Sequence, residues 1–237
     1  MTLIARLSSS DRPTLNGHQV KEVDVLAQER FGISVDWLME AAGWQVARFC
    51  PEGTAVVCGV GNNAGDGLAA ARHLHRWGKL ASVYCVDPMR LRDAAEREMK
   101  ALRRIGIKVS SDLRLDGAKA VVDAIFGTGL SRRPEGAFAT WIEAINAAGL
   151  PVIAVDVPSG LDADTGVAYA PTVRAQTTVT LGLPKPGLLL ADGPPLAGEI
   201  WVADIGMPFE AYAAIGLKVP RDLFANGDRV RLGDSIR

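Results

Sequence analysis

Residues 58–66 read CGVGNNAGD, between an apolar run and a helix-like run. A strand, a glycine turn and a helix in that order leave backbone N–H groups free at a helix start, where the dipole favours an anion. Asn62, Asn63 and Asp66 add polar groups to that turn. A second glycine loop, GTGLSRR at 127–133, follows an apolar run that carries Asp123. Its glycines allow close backbone approach, and Arg132 and Arg133 can pair with phosphate. A third loop, DVPSGLD at 156–162, sets Asp156 at the end of an apolar run, with Pro158, Ser159 and Gly160 behind it. Lys185 lies between two prolines in TLGLPKPGLLL at 180–190. It either faces the same rim and favours an anion or is a plain surface lysine.

Each motif has a second reading. Gly59, Gly61 and Ala64 satisfy G-x-G-x-x-A, and Asp87 follows about 20 residues on, where a dinucleotide ribose wants a carboxylate. Asp66 speaks against that reading, because its charge would sit beside the pyrophosphate. Asp66 itself either holds a substrate hydroxyl or is an ordinary acid at a helix start. Asn63, Asp123 and Ser159 supply only oxygen ligands, a set that suits a hard cation rather than zinc, and one carboxylate suits a monovalent ion. His18, His73 and His75 do not cluster as metal ligands.

The elements that must position these residues are legible as a pattern. Residues 20–49 read as one or two helices broken at Gly32. Strands are expected at 55–58, 81–86, 108–109, 120–126, 151–157, 177–181 and 199–202. Helices are expected at 66–77, 91–105 and 138–148, closed by glycine at Gly78 and Gly149. Continuous apolar strands alternating with helices predict a three-layer α/β/α sandwich, Rossmann-like, with a mainly parallel sheet. In such a sheet all the loops named above leave at the carboxyl ends of strands and converge on one rim.

At 237 residues and 48% hydrophobic content, the chain can bury a real core. A net charge of -1 gives no bulk drive toward nucleic acid or an anionic membrane. No apolar run reaches the ~18 residues of a membrane span. Cys50, Cys58 and Cys85 show no CxxC pairing and read as buried thiols in a reducing compartment, with the cytoplasm as the default location. Residues 1–14 are expected to be a flexible polar start, residues 15–208 the domain, and residues 209–237 a tail packed on it or a linker stub.

The chain resembles the NAD(P)H-hydrate epimerase family, whose fold is also called the YjeF N-terminal domain. The resemblance rests on LMEAAG at 38–43, GNNAGDG at 61–67, DAIFGTGL at 123–130, DVPSGLDADTG at 156–166, LGLPKPGLLL at 181–190 and VADIGMP at 202–208. It implies interconversion of the R and S hydrates of NADH and NADPH, with an ADP/ATP-dependent dehydratase restoring the S form from another chain. It implies substrate contacts from Asn62, Asn63, Ala64, Gly65 and Asp66, from Gly127, Thr128, Gly129, Leu130, Ser131, Arg132 and Arg133, and from Asp156. It also implies one potassium ion per subunit on Asn63, Asp123 and Ser159, and a homodimer. Family members usually carry glycine where this chain has Ala64, a costly change only if that position needs positive φ.

A hydrate carries its hydroxyl on a carbon bonded to the ring nitrogen. The nitrogen can expel the hydroxyl, and water returning to the other face inverts the centre; ring opening through an aldehyde is the alternative. Either route needs proton transfer, assigned to Asp156 with Lys185 tuning it as the catalytic pair. Two rivals are a non-enzymatic nucleotide-binding scaffold of the same fold and an NAD-dependent oxidoreductase built on the Gly59–Ala64 fingerprint.

Overall fold

Thr54–Cys58 (β1) and Ala120–Ala124 (β4) are buried at every position, as strands covered on both faces must be. They form the centre of an eight-stranded sheet in a computed structural model that describes residues 13–233. The other strands are Leu80–Cys85 (β2), Val109–Ser110 (β3), Val152–Val155 (β5), Thr177–Leu181 (β6), Glu199–Ala203 (β7) and Arg229–Arg231 (β8). Their order is β3-β2-β1-β4-β5-β6-β7-β8. Every neighbouring pair is parallel except β7 and β8, which are antiparallel. The order reverses direction between β1 and β4, and a crevice opens at the carboxyl ends of strands at such a switch point.

Alternation along the strands divides the core between the two faces. Val56 and Cys58 of β1 pack with residues of Val35–Ala47 (α2), Asn62–Arg76 (α3) and Asp93–Arg104 (α4). Ala55 and Val57 pack on the other side with Trp141, Ile142 and Ile145 of Gly136–Ala147 (α5). Helices therefore cover both faces, in the three layers expected. A third cluster joins Val23 of Gly17–Glu29 (α1) to Val202 of β7 and Val230 of β8.

Gly32 separates α1 from α2, as expected for a chain break between them. The expected helix at 66–77 instead begins at Asn62, and its first turn absorbs most of the first glycine loop. Ala64 packs in the core at 0% exposure, and this burial outweighs the weak helix propensity of the Asn and Gly residues around it. Residues 209–233 add Phe209–Ala214 (α7) and β8, and Gln45 Nε2 of α2 donates to the carbonyl of Asp228 in that segment and to that of Asp204 just after β7. A five-residue helix, Gly193–Ala197 (α6), precedes β7. Most of the flexible start expected over 1–14 lies outside the described residues; Pro13 is buried. All three cysteines are buried and free. Among the described residues, no helix is long and apolar enough to cross a membrane.

Candidate functional site

The turn after β1 begins at Gly59, where an added Cβ would lie 2.1 Å from the Ile125 carbonyl oxygen. Only glycine lets the two loops at the switch point approach so closely. The same holds in milder form at Gly127, whose added Cβ would meet Asn63 Oδ1 at 3.0 Å. The loops after β1 and β4 are thereby locked together.

A cavity of about 400 Å³ opens where they meet, within the range of small-molecule sites. Asn62, Asn63 and Asp66 line it from the first loop, Gly127 to Leu130 from the second, and Asp156 from the third. Lys185 joins them. The far wall comes from α1 and α2, including Val23, Asp24 and Met39, and from Ile205, Met207 and Tyr212 near the end of the fold. The convergence expected of the three loops is thus present.

Asp156 leaves the end of β5 with φ 67°, left-handed backbone that costs a residue with a side chain of order 1 kcal/mol or more. Its N–H donates to the Val179 carbonyl at 2.8 Å, which holds that turn against β6. The carboxylate uses one oxygen for the protein. Oδ1 accepts from Thr180 Oγ1 at 3.2 Å, Leu181 N at 3.0 Å and Lys185 Nζ at 2.5 Å. Oδ2 accepts from no protein donor among the described residues, and Asp156 lines the cavity. Lys185 is 2% exposed, which rules out the surface-lysine alternative. Its ammonium also donates to the carbonyls of Leu181 at 2.8 Å and Leu183 at 3.1 Å, so all three of its protons are committed. The prolines on either side hold it under the rim. The pair is therefore a fixed ammonium beside a half-free carboxylate.

Asp66 sits in the second turn of α3 and makes no cap, which corrects its reading as a helix-start acid; Gly61 is the N-cap residue. It is 9% exposed, and burial, reinforced by Asp156 and Asp24, pushes its carboxyl well above the usual range. Asp24 of α1 is pushed up to about 6, chiefly by burial, with Lys185 opposing. Asp24 was not among the residues singled out from the sequence. Val20, Val23, Asp24 and Ala27 follow helical spacing, so an acid stands in an apolar stripe, and that is the signal that marks it.

Asp123 lies beneath the cavity at 0% exposure. Burial pushes it up to about 6, opposed by hydrogen bonds from Ser159 Oγ at 2.6 Å, Ser159 N at 2.8 Å and Ile125 N at 3.2 Å. Asn63 Nδ2 is buried with no hydrogen-bond partner among the described residues. The two ends of an amide are interchangeable by a flip, so the same position can present an oxygen. Asn63 together with the Asp123–Ser159 pair thus fits a hard monovalent cation: one unused polar atom and two oxygens already fixed to each other.

Some expected contacts point elsewhere. The side chain of Ala64 faces the core, and Gly65 packs against Met39 rather than lining the cavity. Ser131, Arg132 and Arg133 are exposed and do not line it either. Ala64 has no positive φ, so alanine is unstrained there. Asp87 accepts from Met89 N at 3.1 Å, capping a short turn outside the cavity, which removes the carboxylate that the oxidoreductase reading needs. His73 is buried between α2 and α3 beside Trp44, and does not meet another histidine.

The family model described as YjeF-related protein N-terminus matches residues 35–187. A bifunctional NAD(P)H-hydrate repair enzyme Nnr from Thermofilum pendens is 44% identical over 219 residues, 85% of this chain and 41% of that protein. The chain therefore spans less than half the length of that relative. An NAD(P)H-hydrate epimerase from Dehalogenimonas lykanthroporepellens is 35% identical over 90% of both chains. One from Levilactobacillus brevis is 39% identical over 80% of this chain and 92% of its own. The crystal structure of a yeast protein shares the fold, with a TM-score of 0.77 at 23% identity, over 92% of this chain and 99% of the other.

Proposed function

We propose that this chain, which belongs to the YjeF-related protein N-terminus family, interconverts the R and S hydrates of NADH and NADPH. The observation that carries the reading is Asp156: a strained carboxylate with one oxygen fixed by Lys185 and the other free toward a cavity at the switch point of the sheet. Relatives that match nearly end to end bear the epimerase name, which supports the assignment.

The chemistry follows from the hydrate. The ring nitrogen lends its lone pair to the adjacent carbon and the C–O bond breaks, while a protonated carboxyl gives its proton to the departing hydroxyl. Water then adds to the flat iminium carbon and a carboxylate takes up the proton released. Asp156 is one such proton-transfer group, acting through Oδ2. Lys185 positions it, because the ammonium holds Oδ1 and so sets the direction of Oδ2. The apolar wall from Val23, Leu38 and Met39 limits competing solvent around the iminium. Asn62 and the backbone of Gly127 to Leu130 line the cavity, which supports a role in holding the nucleotide part.

A potassium ion on Asn63, Asp123 and Ser159, when bound, would order the glycine loops and offset phosphate charge. The S hydrate formed is the substrate of a dehydratase. The test is incubation with a mixture of both hydrates and an S-specific dehydratase. Consumption of both forms, faster than spontaneous epimerisation, is expected; consumption of the S form alone at the uncatalysed rate of exchange would leave a nucleotide-binding scaffold.

A further inference from the structure

The carboxylates that line the cavity fall into two kinds. Asp156 accepts three hydrogen bonds from the protein. Asp24 and Asp66 accept none from the described residues, although Asp66 is buried and Asp24 half-buried. Burying a carboxyl without hydrogen-bond partners costs stability, and the charge of Lys185 offsets it only in part for either. Asp24 stands on the helical wall, whereas Asp156 stands on the rim of the sheet. The helix that carries Asp24 is pinned in place. The Leu15 N–H donates to the Pro184 carbonyl at 3.0 Å, beside Lys185, and the Gly17 N–H donates to Asp164 Oδ1 at 2.6 Å. Asn16 closes a capping box on its first turn. Lys185, Asp156 and Asp66 all act electrostatically with Asp24, so the groups share one space.

Inversion at a ring carbon needs proton transfer on two faces, and one carboxylate fixed on one wall serves one face. Building on the epimerase reading, we propose that Asp24 is the second proton-transfer group, acting on the ring face turned to α1 while Asp156 acts on the face turned to the sheet. The steps balance. One carboxyl donates its proton as the C–O bond breaks, so hydroxide leaves as water and the ring nitrogen supplies the electron pair of the C=N bond. A second water adds from the other wall, and the other carboxylate accepts its proton. The net change is one inverted centre and one proton moved between carboxyls, reset by the reverse reaction or by solvent. Asp66, which lines the same cavity, positions the ring.

The test uses the intact protein and each NADH hydrate isomer in a separate reaction in ¹⁸O-labelled water, with no dehydratase. Isomers are separated by chromatography and the label is read by mass spectrometry. Wild type should invert the centre and label both isomers. Asp24→Asn should lose inversion by about 10²-fold or more, the scale for an acid–base group, yet still label one isomer, since Asp156 can expel and return water on its own face. Asp156→Asn should label the other isomer. A merely structural role for Asp24 predicts loss of inversion and of all labelling together, and that result overturns the proposal. Inversion by Asp24→Asn within about threefold of wild type also overturns it. Wild-type protein that neither inverts nor labels removes the epimerase reading, and this inference with it.

Discussion

Lys185 Nζ lies 2.5 Å from Asp156 Oδ1, and both residues are buried at the rim of the sheet. The ammonium is held by two carbonyls as well, so the pair has one geometry. That single contact turns a strand-end aspartate into an oriented proton-transfer group.

Asp156→Asn should keep hydrate affinity within about tenfold and lower turnover by ~10²-fold or more. The amide can still accept from Leu181 N but cannot carry the proton. Steady-state kinetics with purified hydrates decide it, and near wild-type turnover would end the assignment.

Lys185→Met should cost about 3–5 kcal/mol of stability, because it leaves a buried carboxylate without its counter-charge. Urea unfolding measures this. The double variant Lys185→Met with Asp156→Asn should recover part of the loss, whereas simple additivity would mean that the two side chains are not coupled.

Potassium should raise the thermal midpoint over an equal concentration of sodium. An ion at tenfold its Kd contributes about 1.4 kcal/mol. Asn63→Ala should abolish the difference, because Asn63 offers the unused polar atom. Equal midpoints in the two salts for the wild type would remove the ion from the site.

Asp24 has a folded-state pKa raised to about 6, above its ordinary 3.8. The folded state therefore binds more protons than the unfolded one between those values, and stability falls as pH rises through that window. Asp24→Asn should gain stability relative to wild type between pH 4 and pH 7. Urea midpoints of both proteins at the two pH values check the sign; a gap that does not widen in favour of the variant would show that Asp24 is not desolvated.

Ala64→Gly should destabilise this chain by about 1 kcal/mol, since Ala64 is helical and its methyl is buried. Thermal unfolding tests it, and a neutral or stabilising result would contradict the helical start at Asn62.

Much of this arrangement could be read from the residues alone. The runs that became β1, β4 and β5 are continuous and apolar because helices cover both of their faces, and their loops meet because parallel strands end on one side. Other parts gave little local signal. Arg229–Arg231 offers one apolar residue and pairs only because β7 presents an open edge. Asn62, Asn63 and Gly65 are poor helix formers, and tertiary packing decides their conformation. Asp24 needed the docking of α1 before its place in the site became visible, and the exposure of Arg132 and Arg133 depends on where the second loop turns away.

The cavity draws one wall from Leu15 to Asp24 and another from Ile205 to Tyr212. Opposite ends of the described chain must meet before any ligand finds a complete enclosure. A nascent polypeptide on the ribosome therefore stays inert until nearly all of this domain has emerged, and trimming either flank should silence the protein while the central strands still hold together.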